Sequence, residues 1–196
     1  MSARMPKGRA PDNESMSRPA TSPPHWFVDE TKSGRFVVVV AAVSSSALSS
    51  ARKDLRQHLR SGQRSLHFTK ESSSSRRGAL KIIADLPIEV TVYRVVGKHG
   101  LRDSRELCIR ALARDAVTAQ PRRIVLERDD SLQIHDERWL YEELGPGNRR
   151  DTEFQHLNRH DDPMLWVPDA IAWCIQKGRP WVDEVADLVV RSIELA

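Results

Sequence analysis

The run Phe36-Val37-Val38-Val39-Val40, continued by Ala41, Ala42 and Val43, constrains this chain more than any other feature. Eight apolar residues in succession, most of them β-branched valines, favour extended backbone over helix. No polar residue alternates with them, so neither face of the strand suits water. Such a strand belongs in the middle of a sheet covered on both sides. It is far too short to cross a bilayer, which takes roughly 20 apolar residues as a helix.

The remaining elements arrange themselves around that strand. His25 to Glu30 reads as a strand, and the turn Lys32-Ser33-Gly34 joins it to Arg35–Val43 as an antiparallel hairpin. Leu48, Ala51, Leu55 and Leu59 recur at helical spacing, and Leu66-His67-Phe68 reads as a short extended piece. A second helix starts at the serine run Ser72 to Ser75, carries Leu80, Ile83 and Ala84, and stops by Pro87. Ile88 to Val96 is a third strand. Asp103 to Glu106 has the form of a capping box, which predicts a helix from there to about Gln120. Arg123 to Glu127 is a fourth strand. Asp136 to Leu144 is a helix closed by Gly145-Pro146-Gly147-Asn148, and Glu153 to Asn158 is a fifth strand. Asp162-Pro163 opens a helix reaching Gly178, and Trp181 to Leu195 reads as an amphipathic final helix. Three antiparallel strands followed by two that return through helices, and so pair in parallel, give an α/β fold of ribonuclease-H-like layout. The expected domain spans residues 25–196, with a helical insertion at about 45–86. Residues 1–24, rich in proline, serine and arginine, read as a disordered tail.

The chain has 196 residues and a formal net charge of +4, unevenly spread. The first 110 residues carry 20 Lys and Arg against 10 Asp and Glu, whereas the rest carry 11 against 17. A basic half beside an acidic half suits a protein that attracts a polyanion and holds cations, although uneven surface charge alone accounts for it equally well. Cys108 and Cys174 are too few for a disulfide framework or a multi-cysteine zinc site and read as buried thiols. With no apolar stretch suited to a secretory signal near residue 1, a cytoplasmic location is expected, with no membrane association.

Acids at strand ends carry the chemical information. Asp29 and Glu30 follow Trp26-Phe27-Val28, Glu127 follows Ile124-Val125-Leu126, and Asp169 sits among the largely apolar residues of a helix. Each taken singly fits a solvated strand end or a helix first turn. Ionised carboxylates in apolar surroundings are costly unless paired or bound to metal, and three converging would favour Mg²⁺ or Mn²⁺. Two such ions about 3.5–4 Å apart support phosphodiester hydrolysis. Strand alternation turns Glu30 away from Asp29, making it a neighbour rather than a ligand.

These residues resemble the bacterial "domain of unknown function 3800" family, which carries a ribonuclease-H-like fold. That family opens on an Asp-Glu-Ser-Gly type strand end; here Phe27-Val28-Asp29-Glu30 is followed by Thr31 and Lys32 before Ser33-Gly34. Its middle stretch is echoed by Leu66-His67-Phe68-Thr69-Lys70-Glu71 and Arg76-Arg77, and its second acidic strand end by Leu126-Glu127-Arg128-Asp129-Asp130. Its last helix motif matches Pro163-Met164-Leu165-Trp166-Val167-Pro168-Asp169-Ala170-Ile171-Ala172 in register. The likeness covers most of residues 25–178 and implies that Asp29, Glu127 and Asp169 are metal-binding, catalytic acids. Glu127 replaces the Asp of many relatives, and Pro168 replaces an Ala. For a fourth acid, the first long helix nominates Glu106 and the family-type stretch nominates Glu71; Glu106 already has a role in the capping box, which favours Glu71.

Other candidates carry less. His156 and His160 have the spacing of a helical zinc pair, but their segment reads as strand and loop. His67 suits either a proton donor or a hydrogen-bonded structural histidine. Arg52, Lys53, Arg56, Arg60 and Arg64 suit either a phosphate-tracking face or a solvated one. The expected function is a divalent-metal-dependent nuclease acting on RNA or DNA through two ions. Its alternative is a nucleic-acid-binding or adaptor protein without catalysis.

Overall fold

A computed structural model describes residues 22–31, 34–148 and 151–196. The expected tail falls almost entirely outside these residues, as do Lys32 and Ser33 of the hairpin turn. Six strands form one mixed sheet in the order β5-β4-β1-β2-β3-β6. β1 (Pro24–Glu30), β2 (Val37–Ser44) and β3 (Ile88–Val95) pair antiparallel. β4 (Arg123–Glu127) adds in parallel to β1, and β5 (Glu153–Leu157) adds in parallel to β4. This is an α/β fold with a mixed sheet flanked by helices.

The valine run lies at the centre of the sheet, as its two-faced apolarity requires. Val37, Val39, Ala41 and Val43 enter one core with Phe27, Val90, Val92 and Val125. The helices covering that face are α1 (Leu48–Gln57), α2 (Ser73–Ala84) and α5 (Trp166–Lys177). Val38 and Val40 enter the second core with Trp26, Tyr93, Ile124 and Leu126. That face is covered by α3 (Leu101–Ala119) and α4 (Gln133–Asn148). Ser72 caps α2 by accepting a hydrogen bond from the Ser75 amide at 3.2 Å. Helical geometry in α4 breaks at Gly145, whose φ of 66° suits a residue without Cβ.

Three local expectations need correction. Residues 181–195 do not form a helix: a 3₁₀ segment, Asp183–Leu188, leads into β6 (Val189–Leu195), which pairs in parallel with β3. Without it β3 would be an open edge with unsatisfied backbone groups, and Ile193 and Leu195 also pack against the second core. The expected capping box does not start α3, which begins at Leu101 after Gly100 with no side-chain cap. Glu106 instead accepts from Arg110, one turn on, at 2.8 Å. His67 is extended, but Phe68–Lys70 closes into a 3₁₀ turn with Phe68 fully buried. Among the described residues no helix is long and apolar enough to cross a membrane.

Candidate metal and nucleic-acid site

β1 and β4 run in parallel with Val28 opposite Leu126, so the next residues along, Asp29 and Glu127, leave the sheet side by side. Alternation sends both toward α5, on the face shared by Phe27 and Val125. Asp169 arrives from the first turn of α5, which packs across β1 and β2. Its Oδ2 accepts from the Phe68 amide at 3.0 Å, tying the helix to the 3₁₀ turn.

Charge crowds these acids. Asp29 is 3% exposed, and burial, reinforced by the charges of Glu30, Asp169 and Glu127, holds its carboxyl well above the usual carboxylate range. One hydrogen bond, from the Glu30 amide to Oδ1 at 2.8 Å, works the other way. Three buried side-chain polar atoms lack a hydrogen-bond partner among the described residues: His25 Nδ1, Trp139 Nε1 and Glu127 Oε2. Only Glu127 Oε2 belongs to a carboxylate, for which isolation from water is costly.

Arg159, which sequence reasoning did not single out, lies in this cluster. Its Nε donates to Glu127 Oε1 at 2.9 Å, its Nη2 reaches the same oxygen, and its Nη1 lies 3.5 Å from Asp169 Oδ2. The guanidinium also contacts His67 Nδ1, which is 3.8 Å from Asp169 Oδ2. Burial opposes the Arg159 charge, but the Glu127 hydrogen bond and the charges of Asp169, Glu127 and Asp29 more than offset it. Nothing in the local pattern Leu157-Asn158-Arg159-His160 marks this arginine out, since its role comes from residues 32 and 10 positions away.

The cluster opens into a cavity of about 500 Å³ lined by Asp29, His67, Arg159, Asp169, Trp173 and Lys177, among others. Beside it, Lys177 lies 5.6 Å and Arg76 4.2 Å from the centre of the buried Trp173 ring, the range of cation–π contact. A larger groove of about 820 Å³ is lined by other residues, where Tyr93 donates to Asp115 at 2.6 Å and Arg191 pairs with the same carboxylate. None of the strand-end acids lines it.

The donor chemistry fits a small, hard dication in kind: every candidate ligand is a carboxylate oxygen, and one oxygen is buried and unpartnered. As placed, however, no three Asp, Glu, His or Cys groups among the described residues are grouped to hold an ion. Arg159 bridges two of the three acids instead.

The fourth-acid nominees lie elsewhere. Glu71 accepts from Gln63 Nε2 at 2.7 Å, Ser75 Oγ at 2.7 Å and Arg60 Nη2 at 3.0 Å, so its oxygens are spent on tying the segment after α1 to the first turn of α2. Glu106 belongs to a surface network with Arg110, Glu142 and Glu143. Glu30 turns to the opposite face, where Arg105 Nη1 meets it at 2.8 Å. His156 reaches Asp136 at 3.2 Å while His160 pairs with Asp161, so the two histidines are not a zinc pair. Of the basic residues expected on one helix, Arg52 lies on α1 and pairs with Asp162, while Arg60 lies beyond its end and pairs with Glu71. Both cysteines are free and buried, and burial pushes each thiol up to about 12.

No family model matches the chain, and no curated protein matches it in sequence. Solved structures do. The RNase HII–PCNA complex from Archaeoglobus fulgidus contains a chain that aligns at 18% identity with a TM-score of 0.54, over 84% of this chain and 76% of that one. A mutant protein of Bst-RNase HIII aligns at 15% identity and TM-score 0.47, over 92% of this chain and 61% of that one. Bst-RNase HIII in complex with Mn²⁺ aligns at 13% and 0.41, over 90% and 60%. Identities this low speak to fold alone, and the first alignment places this chain with the ribonuclease-H-like architecture.

Proposed function

We propose that this protein is a divalent-metal-dependent nuclease that hydrolyses phosphodiester bonds of RNA or DNA at the cluster of Asp29, Glu127 and Asp169. The observation that carries the reading is the burial of Asp29 at a strand end against the charges of Glu127 and Asp169. A fold gains nothing from crowding three carboxylates; a ligand of opposite charge does. Asp29 and the unpartnered Oε2 of Glu127 would hold Mg²⁺ or Mn²⁺, with Asp169 steadied by the Phe68 amide. When bound, such a cation supplies charge neutralisation at the phosphate and activation of water. Lys177 lines the same cavity as Asp29 and Asp169, where a cation suits a phosphate backbone. His67 lines the same cavity, its Nδ1 3.8 Å from Asp169 Oδ2.

A second reading, nucleic-acid binding without cleavage, is favoured by the Arg159 bridge, which already neutralises part of the cluster. End-labelled RNA, DNA and RNA–DNA hybrid incubated with Mg²⁺, Mn²⁺ or EDTA separate the two. Cleavage that EDTA abolishes and Asp29→Asn removes supports the nuclease. Retention of every substrate uncut in Mn²⁺ overturns it in favour of binding.

A further inference from the structure

We propose that Arg76, Arg77 and Lys177 form a phosphate-binding site that holds the backbone of a nucleic-acid strand beside the cavity. The proposal deepens the nucleic-acid reading of that cavity and rests on it, but no metal ion enters into it. The three cations gather over two tryptophans. The Arg76 guanidinium sits 4.2 Å and the Lys177 ammonium 5.6 Å from the Trp173 ring centre, and the Arg77 guanidinium 5.5 Å from that of Trp181. The two rings meet edge to face with centres 5.2 Å apart, so three positive charges from α2 and α5 share one patch.

Cations elsewhere on this chain find carboxylates: Arg52 has Asp162, Arg110 has Glu106 and Arg123 has Glu153. Among the described residues, none of Arg76, Arg77 and Lys177 forms an ion pair. Of the acids near them in the chain, Glu71 is taken by Arg60 and Asp183 by Arg179. Like charges repel, and the indole faces that draw these together carry no net charge. An anion completes the patch. Three cations spread over two rings suit successive phosphates of a polyanion better than one small anion, and Lys177 also lines the cavity that holds Asp29 and Asp169.

Arg76 is anchored from behind. Its Nε donates to the Phe68 carbonyl at 2.7 Å and its Nη2 to the Thr69 carbonyl at 3.0 Å, leaving Nη1 without a partner among the described residues. The residue whose carbonyl it holds, Phe68, gives its amide to Asp169. Asp169, Trp173 and Lys177 follow one another at helical spacing on one face of α5. At 1.5 Å per residue, Lys177 stands about 12 Å along the axis from Asp169. Phosphates held at the patch therefore lie within a few nucleotides of the acids.

Anisotropy of an end-labelled single-stranded oligonucleotide, titrated with the full chain in EDTA at several salt concentrations, tests this without metal or turnover. The wild type is expected to bind with a log affinity that falls linearly with log salt. Arg77 and Lys177 are exposed and make no hydrogen bond among the described residues. Arg77→Gln with Lys177→Gln is expected to bind at least about 10-fold more weakly and to flatten the slope by about 1.4. Arg114→Gln with Arg138→Gln removes the same charge from the α3–α4 side and is expected to change affinity by less than about twofold. Equal binding by the wild type and Arg77→Gln with Lys177→Gln overturns the site and leaves the nuclease reading standing. So does an equal loss in both double variants, which makes the effect one of net charge. If the first double variant does not fold, Lys177→Gln alone decides, with an expected slope change of about 0.7. No binding by the wild type also overturns the site, and the nuclease reading then stands or falls on cleavage with Mg²⁺ or Mn²⁺.

Discussion

Asp29 and Glu30 are neighbours in sequence but serve two unlike buried charge clusters, one on each face of the sheet. On the α3–α4 side, Arg105 reaches Glu30 at 2.8 Å and engages Asp136 through two bonds of 2.8 Å, and His156 completes the set at 3.2 Å. Burial opposes ionisation of Asp136, but the Arg105 and His156 contacts more than offset it and hold its carboxyl below the usual range. Side-chain exposure there is 4% for Arg105 and 1% for Asp136. On the α5 side, one arginine bridges two of the three acids, an oxygen is unpartnered and a cavity opens beside them. The first cluster is closed and satisfied, which is what structure requires. The second carries surplus negative charge next to open space, which makes sense when a ligand completes it.

That contrast predicts opposite responses to mutation. The largest effect is on catalysis: Asp29→Asn and Asp169→Asn should each lower the nuclease rate by at least about 10³-fold, some 4 kcal/mol. Glu71→Gln should cost stability while leaving turnover within a few-fold; comparable loss of turnover would restore it to the site. Next, Arg105→Ala should destabilise the fold by about 3–5 kcal/mol in urea unfolding, because it leaves Glu30 and Asp136 buried without their cation. A loss under about 1 kcal/mol would remove the distinction between the clusters.

Third, Mn²⁺ at about 100 times its dissociation constant should stabilise the wild type by about 2.7 kcal/mol, and Asp29→Asn should abolish that gain. Removing Arg110, far out in the surface network, should not change it. The smallest effect is intrinsic to Asp29. The folded state holds its proton more tightly than the unfolded chain, so metal-free stability should fall as pH rises above the ordinary carboxylate range. Asp29→Asn should flatten that decline and raise Tm at neutral pH by roughly 2–4 °C, the shift about 1 kcal/mol brings in a chain this size. A Tm that drops instead would mean that Asp29 is needed for folding, as Arg105 is.

Much of this was legible from residue patterns alone. The unbroken valines announce a strand covered on both faces, and both cores meet on it. Alternation along β1 and β4 puts Asp29 and Glu127 on one face and Glu30 on the other, because side chains in extended backbone alternate whatever surrounds them. Helical periodicity similarly locates α5 and Asp169 within it.

Other features were not local. Val189–Leu195 takes up a strand because β3 offers it an edge, which outweighs the amphipathic spacing that suggested a helix. Glu71 shares its motif with residues beside the site but spends its carboxylate on Arg60, Gln63 and Ser75. Arg105 and Arg159 look like any of the chain's many arginines until partners distant in sequence close around them. Periodicity and residue type determined the layers of this protein and the positions of its acids, since those depend on each segment's own geometry. Which charges meet was decided only by tertiary structure, because Coulomb energy and desolvation depend on distances that chain folding alone sets.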